Sequence, residues 1–544
     1  MGIDQRRHAA PAIERPRFRI LGAERTRRRA DEPVVLVPVV KQAVYQVTLE
    51  RFARVVAERE DARIVAFWLD VAKAEWRGLS GLAARSKRRR SISDDVSLHY
   101  RRFAHEVRAL RPTIAARWEA RREVNRYFRA GPSKASLEQF AVRGQRLGDL
   151  VYDQMVKEGT VLVNPGGRGT RRHLYIAALH AILIDNLFAQ LDVTWVVVPS
   201  TALSSGLADR AAYRHGVPRI VGAQDHAYRP RKDQEFLDVS TGLRRRFMEI
   251  ADADREELLV QAREFLHSRR QRLLGIGDEN QSESGDISVP SGPGGRPVVL
   301  VAVHSFFDDP HAVGIGLFAD FLDWIEHLTS LISQTDYIWK FKLHPGERED
   351  RIGARAAVEN LLASYPNAHI LSDEITHPQL LSEGVALVLT IYGTIGFEYP
   401  AIGIPVVTAA ASNPHHRYRY CLHAESVDQY DEIVLDPNRW GYGIPMSDIE
   451  EYVAMRYLMH GETPFQNVSA IARLHGENSG DALKDPGFLD VWQEHVSQDE
   501  LDVVDRALRD WIDSGEYSLG GFLADRALQN RGRPQSDALA GSGS

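Results

Sequence analysis

The residues best suited to chemistry lie in two short segments, 337–346 and 389–408. Each reads as a buried strand that runs into a polar turn, and ligands of open α/β sheets bind at the carboxyl ends of the strands. The first turn offers His344, which can donate a hydrogen bond to a phosphate oxygen. The second offers Gly393 and Thr394 at a helix start, where backbone N–H groups and the helix dipole attract phosphate. The two turns together predict a site for a sugar linked to a nucleoside mono- or diphosphate.

Other polar residues flank these turns and are further candidates for binding the nucleotide or its phosphate: Lys342, Pro345, Thr390, His416 and Arg417. Pro345 disfavours helix at the preceding histidine, so it fixes a sharp exit from the strand. The adjacent histidines at 415 and 416 lack the carboxylate neighbours that a zinc site needs. We therefore predict no metal.

Four residues are candidates for a catalytic role. Asp308 and His311 follow a predicted strand, and we expect them to act on sugar or acceptor hydroxyls, with helix capping as the alternative. Glu398 lies one helical turn after Thr394 and is expected to face the same cleft. Asp225 follows a strand in the first half of the chain, where a solvated loop position is the alternative.

A glycine-rich turn at 164–169 lies between a predicted strand at 161–163 and a helix. It lacks the Lys-Ser/Thr pair of a phosphate-binding P-loop. We expect it to bind the acceptor instead, through Gly166, Gly167 and Arg168.

Composition restricts the class of protein. The chain has 544 residues, of which 44% are hydrophobic and 26% charged, as in soluble globular proteins of more than one domain. The formal net charge of -6 argues against nucleic acid as a partner. A single cysteine excludes a disulfide framework and fits a reducing cytoplasm. The arginine-rich stretch 5–30 predicts either a solvated arm or a segment that docks on an anionic membrane or acidic glycan.

Strands alternate with helices in both halves, which predicts an α/β protein of GT-B-like layout: two Rossmann-like parallel-sheet domains facing a cleft. The expected divisions are a disordered basic arm (1–32), a first domain (33–274) with a helical insertion (72–158), a linker (275–296), a nucleotide-sugar domain (297–446), a helical C-terminal region (447–531) and a disordered tail (532–544).

Residues 297–420 resemble the bacterial capsule polysaccharide biosynthesis protein family, which is similar to Kdo and sialic acid transferases and has a His-Pro motif. The matching segments are 308–311, 318–324, 342–345, 393–398 and 403–407. In such proteins the histidine and a hydroxyl-bearing loop hold the donor phosphate, which implies that role for His344 and Thr394. Relatives often place serine in this loop, whereas this chain has Gly393 and Thr394.

The resemblance implies a metal-independent GT-B glycosyltransferase that needs no cofactor besides its nucleotide-sugar co-substrate. We expect it to move a sugar, with a CMP-sugar slightly favoured, to a glycan or lipid-linked acceptor in capsular polysaccharide biosynthesis. We expect a cytoplasmic location, with peripheral membrane contact through the basic arm as an option. Two alternatives stay open: a sugar-nucleotide epimerase or hydrolase of the same fold, and a non-catalytic glycan- or nucleotide-binding subunit.

Overall fold

The structure is a computed structural model. It describes residues 32–69, 94–160, 162–223, 226–275, 293–306, 309–311, 316–344, 353–410, 413–459, 492 and 494–523. Residues 1–31 of the predicted basic arm, most of the predicted linker and the predicted tail lie outside these residues, as do the candidates Asp225, Asp308 and Pro345.

The first half of the chain contains eight strands and seven helices within its described residues. They are β1 (Pro33–Pro38), α1 (Ala43–Glu60), β2 (Arg63–Leu69), α2 (Asp94–Phe103), β3 (Glu106–Leu110), α3 (Ile114–Arg129), α4 (Lys134–Glu138), β4 (Ala141–Val142), β5 (Gln145–Arg146), α5 (Gly148–Lys157), α6 (Arg168–Gln190), β6 (Asp192–Val198), α7 (Leu203–Arg214), β7 (Arg219–Ala223) and β8 (His226–Tyr228).

Six of these strands form one sheet in the order β3-β2-β1-β6-β7-β8. All neighbours pair in parallel except β8, which runs antiparallel to β7. Both faces of the sheet are covered, because alternate residues of β1 enter different cores. Val34 and Leu36 pack with α3, α5 and α6, whereas Val35 and Val37 pack with α1.

The second half repeats this construction. Its elements are α8 (Leu243–Glu249), α9 (Asp252–Leu274), β9 (Val298–Ala302), α10 (Phe321–Gln334), β10 (Ile338–Lys342), α11 (Ala354–Leu362), β11 (Ala368–Ile370), α12 (His377–Ser382), β12 (Val385–Thr390), α13 (Ile395–Glu398), β13 (Val406–Thr408), β14 (Leu422–His423), α14 (Val427–Leu435), α15 (Met446–Val453), a π-helix (Ala454–Leu458) and α16 (Gln498–Ser514). The sheet order is β11-β10-β9-β12-β13-β14, and all six strands are parallel.

Two parallel-sheet domains of Rossmann type were predicted, and the two sheets confirm that fold class. The C-terminal region crosses back onto the first domain. There α16 packs on α1, with the rings of Phe52 and Trp511 6.1 Å apart and an ion pair between Arg51 and Asp505. The described part of the chain contains no helix that combines the length and the apolar character needed to cross a bilayer.

Two sequence-based expectations need correction. The insertion 72–158, predicted as helical, contains β3, which is the edge strand of the first sheet. Its Glu106 and Arg108 form an ion pair on the exposed edge, so this strand lacks the apolar run of a central parallel strand. The strand predicted at 161–163 is absent from its described part, residues 162 and 163. The sheet position beside β1 belongs to β6, and Leu162 is 68% exposed.

Candidate functional site

The carboxyl ends of three adjacent strands in the second sheet bring aromatic and imidazole rings together. His304 follows β9, His344 follows β10 and Tyr392 follows β12. The ring of His304 lies 6.0 Å from that of His344 and 5.5 Å from that of Tyr392. The chain leaves β9 toward β10 on one side, while β12 lies on its other side. This reversal of strand order is the topological switch point at which open α/β sheets bind ligands.

Gly393 and Thr394 form the open lip of this cluster. Both residues are exposed. Gly393 has a φ of 110°, a conformation that disfavours residues with a Cβ atom. The helix that follows, α13, has only four residues, and residues 400–402 form a separate 3₁₀ turn. A helix of one turn has a small dipole. The backbone N–H groups of the turn are therefore the main donors here.

A buried histidine behind the lip fixes the path of this turn. His415 is 1% exposed, and its Nε2 lies 2.9 Å from the carbonyl oxygen of Gly393. Its Nδ1 lies 2.8 Å from the hydroxyl of Tyr420. Burial lowers the pKa of His415 to about 4, so the ring is neutral. The neutral ring donates from Nε2 to Gly393 and accepts at Nδ1 from Tyr420.

The packing of His415 also explains a glycine in α13. A Cβ atom added at Gly396 would lie 2.6 Å from Nε2 of His415. Only glycine lets the helix approach the imidazole this closely. The lip at Gly393 and the loop that carries His415 are therefore one packed unit.

Two residues that were predicted to bind the nucleotide direct their side chains into the protein instead of toward solvent. Thr390 is 1% exposed, and its hydroxyl donates to the carbonyl oxygen of Tyr392 at 2.8 Å. Nζ of Lys342 donates to the carbonyl oxygen of Ile375 at 3.0 Å. The side chains of both residues bond to backbone carbonyl groups near the strand ends. The side chain of His344, in contrast, is exposed to solvent.

His416 and Arg417 line a cavity of about 670 Å³ at the junction of the two domains. Arg417 donates to Oδ2 of Asp238 at 2.5 Å and to the hydroxyl of Ser240 at 3.1 Å. Nδ1 of His416 lies 2.5 Å from the carbonyl oxygen of Asn413. The contacts of Arg417 connect the loop after β13 to the segment that precedes α8, whereas that of His416 lies within the loop.

Glu398 forms an ion pair with a residue of α9. Nη1 of Arg269 donates to its carboxylate at 2.9 Å. Burial raises the pKa of Glu398, and the positive charge of Arg269 opposes that shift. The predicted proximity to Thr394 is present, because the Thr394 hydroxyl hydrogen-bonds this carboxylate. Glu398 therefore links the lip to α9.

His311 lies in a buried contact between the two domains. It is 1% exposed, and its Nδ1 lies 2.6 Å from the carboxylate of Asp153 on α5. Its Nε2 lies 3.8 Å from the carboxylate of Glu138 on α4. Burial opposes protonation of the ring, but the Asp153 carboxylate outweighs it and raises the pKa of His311. The arrangement is a buried ion pair that joins the two domains. This differs from the predicted role, in which His311 acts on sugar or acceptor hydroxyls.

The same interface contains further polar contacts. Nζ of Lys134 donates to Asp320 at 3.3 Å and to Asp323 at 3.1 Å. The hydroxyl of Tyr152 donates to Asp320. The side chain of Lys157 pairs with Asp309. Helices α4 and α5 thus hold the segment between β9 and α10.

The predicted acceptor turn is exposed at the start of α6. The N–H of Gly166 donates to the side-chain oxygen of Asn164 at 3.0 Å, and Gly167 is the residue before the helix. Arg168 is the first helical residue and is exposed. The hydroxyl of Tyr127 on α3 donates to the carbonyl oxygen of Pro165 at 3.3 Å, so α3 supports this turn.

Sequence reasoning missed the roles of His304, His415 and Asp153. His304 follows an apolar strand run just as His344 does, so the same rule could have found it. Asp153 is a carboxylate within a buried stretch of α5, which is a signal for a paired charge. The role of His415 has no comparable local signal. Among the described residues, no group of three or more His, Cys, Asp and Glu side chains could hold a metal ion.

Comparisons with known proteins add only distant likenesses. No protein-family model and no curated protein sequence matches the chain. The similar solved structures include KpsC, a beta Kdo 2,4 transferase of Thermosulfurimonas dismutans, with a TM-score of 0.28, 12% identity and coverage of 48% of this chain and 79% of that one. A UDP-GlcNAc 2-epimerase from Neisseria meningitidis has a TM-score of 0.23 and 11% identity, covering 78% and 98%. A glycosyltransferase from Rickettsia africae has a TM-score of 0.20 and 9% identity, covering 92% and 97%. At this level of similarity they say nothing about what this chain binds.

Proposed function

We propose that this protein is a GT-B glycosyltransferase that moves a sugar from a nucleotide-activated donor to a glycan or lipid-linked acceptor. The observation that carries the proposal is the grouping of His304, His344, Tyr392 and the Gly393–Thr394 lip at the switch point of the second sheet. The resemblance to capsule polysaccharide biosynthesis proteins favours a cytidine nucleotide and a role in surface polysaccharide assembly.

The chemistry of the proposed site follows from the groups that it presents. Loss of the nucleotide from the sugar places negative charge on the leaving phosphate. An imidazole N–H of His344 and the backbone N–H of Thr394 would donate hydrogen bonds to that phosphate, and donors held in place stabilise charge that develops in a transition state. The hydroxyl of Thr394 would join them by exchanging its bond to the Glu398 carboxylate for one to the phosphate. His415 would keep the lip in shape through its hydrogen bond to Gly393. The first domain would present the acceptor near Gly166, Gly167 and Arg168.

The first experiment measures thermal unfolding of the wild type and His344→Ala with CMP, CDP, UDP, GDP and ADP. A ligand that binds only the folded state at a hundred times its dissociation constant adds about 2.7 kcal/mol to the free energy of unfolding. We expect one nucleotide to stabilise the wild type. We expect its affinity for His344→Ala to fall about tenfold, because one charge-assisted hydrogen bond is lost. The matched control is His267→Ala, which removes an exposed histidine from α9 and should bind as the wild type does.

Two outcomes would contradict the proposal. If none of the five nucleotides stabilised the wild type, the proposed nucleotide site would be wrong. If the wild type and His344→Ala bound the nucleotide with equal affinity, His344 would not take part in binding it. Nucleotide sugars that carry the base identified in this way are then incubated with the protein in the absence of an acceptor. Its epimerisation or hydrolysis at a catalytic rate would favour the epimerase or hydrolase alternative over transfer.

A further inference from the structure

One face of α3 exposes large apolar side chains to solvent. Ile114 is 73% exposed and Trp118 is 67% exposed. The two residues are four positions apart, so they lie on the same side of the helix. The opposite side carries Ala116, Ala120 and Val124 into the first core. The exposed face is thus separate from the face that stabilises the domain.

Exposed arginines lie just before the two apolar residues and along the rest of the helix. Those exposed on or beside α3 are Arg111, Arg121, Arg122, Arg126 and Arg129. The two carboxylates of the helix are fewer than the arginines around them. Glu119 pairs with Arg143, and Glu123 pairs with both Arg122 and Arg126. The face therefore keeps an excess of positive charge.

The amino-terminal end of α6 extends this basic surface. Arg171 donates to the side-chain oxygen of Asn125 at 2.8 Å, and the guanidinium of Arg121 lies 5.9 Å from the ring of Tyr175. The two helices consequently run antiparallel. The carboxyl-terminal half of α3 lies beside the start of α6, next to Gly166, Gly167 and Arg168.

We propose that this exposed face of α3 docks the protein on an anionic lipid bilayer. Tryptophan favours the interface between lipid and water, and an apolar residue one turn away adds buried area. Arginine side chains can lay their stems along the membrane while the guanidinium groups contact lipid phosphates. A second copy of this chain fits less well, because two such faces would bring their arginines together.

Membrane docking through α3 differs from docking through the arginine-rich stretch 5–30, and it does not depend on the proposed chemistry. It does fit that chemistry, because it holds the turn at Gly166–Arg168 near the bilayer. A lipid-linked acceptor would reach the first domain from that side.

The test is co-sedimentation of the full-length chain with vesicles of phosphatidylcholine alone or mixed with phosphatidylglycerol. We expect binding to the mixed vesicles, and binding about tenfold weaker for the double variant Ile114→Ser, Trp118→Ser, because less apolar surface enters the bilayer. The double variant Arg126→Gln, Arg129→Gln should also weaken binding and reduce its dependence on salt. Val503→Ser is the control, since Val503 is 55% exposed on α16.

Every protein in this test carries residues 5–30, so a contribution of that stretch is the same in all of them. Binding of the Ile114→Ser, Trp118→Ser variant at the wild-type level would overturn the proposal. So would equal binding of the wild type to neutral and anionic vesicles. Self-association of the wild type that is lost in this variant would assign the face to a second copy and overturn it as well. The substituted side chains are exposed, and unchanged melting temperatures would verify the fold of each variant.

Discussion

At the scale of single residues, His415 holds two hydrogen bonds that require a neutral ring. Its unfolded-state pKa is about 6.5, and burial lowers the folded-state value to about 4. The folded state therefore binds fewer protons than the unfolded state between these values. The contribution to stability is complete above about pH 6.5 and is lost progressively as the pH falls toward 4, by about 3 kcal/mol.

The substitution His415→Gln tests this residue. The glutamine amide can still donate to the carbonyl oxygen of Gly393, but it does not titrate. We expect nucleotide binding at neutral pH to fall less than in His415→Ala. We also expect the free energy of unfolding to decline less between pH 6.5 and 4 than in the wild type. Chemical denaturation across this pH range measures the difference. An identical pH dependence for both proteins would show that His415 is not the titrating group.

At the scale of elements, the contact between α13 and the loop 413–418 leaves no space for a side chain at Gly396. We expect Gly396→Ala to cost about 1–3 kcal/mol, because a Cβ atom would press on the buried ring of His415. The displaced ring should also weaken nucleotide binding. Gly443→Ala is a suitable control, since a Cβ atom there would meet no atom within 4 Å. Thermal unfolding and nucleotide titration measure both effects, and equal behaviour of the two variants would refute this packing argument.

At the scale of the whole molecule, the buried pair of His311 and Asp153 joins the two domains. Because Asp153 raises the pKa of His311, the contribution of the His311 ring to stability is fully present below about pH 6.5 and is lost as alkaline pH deprotonates the ring. Burial raises the pKa of Asp153 to about 6, so both partners of the pair are charged only above that pH. We expect Asp153→Asn to cost about 3 kcal/mol, since breaking a buried ion pair leaves its partner uncompensated. Small-angle scattering should show a larger radius of gyration as the domains separate.

The matched control for the interdomain pair is Asp431→Asn. Asp431 lies 2.6 Å from His327, but both residues belong to the second domain and their side chains are 28% and 24% exposed. Removing this pair should cost about 0–1 kcal/mol and leave the radius of gyration unchanged. Equal effects of the two substitutions would mean that the His311 contact does not hold the domains together.

The sequence by itself determined the two parallel sheets, because buried parallel strands read as short apolar runs between amphipathic helices. It also placed His344, Gly393 and Thr394 at strand ends, since a polar turn after such a run marks the carboxyl edge. It did not reveal β3, whose edge position allows charged residues such as Glu106 and Arg108.

Only the tertiary structure decided which polar residues face solvent and which face the protein. Thr390 and Lys342 lie at the correct strand ends, but their side chains bond to neighbouring carbonyl groups. His311 and Asp153 meet across two domains, and His415 reaches Gly393 from another loop. Such contacts join residues far apart in the chain, and their formation depends on packing of the whole molecule, which local patterns do not encode.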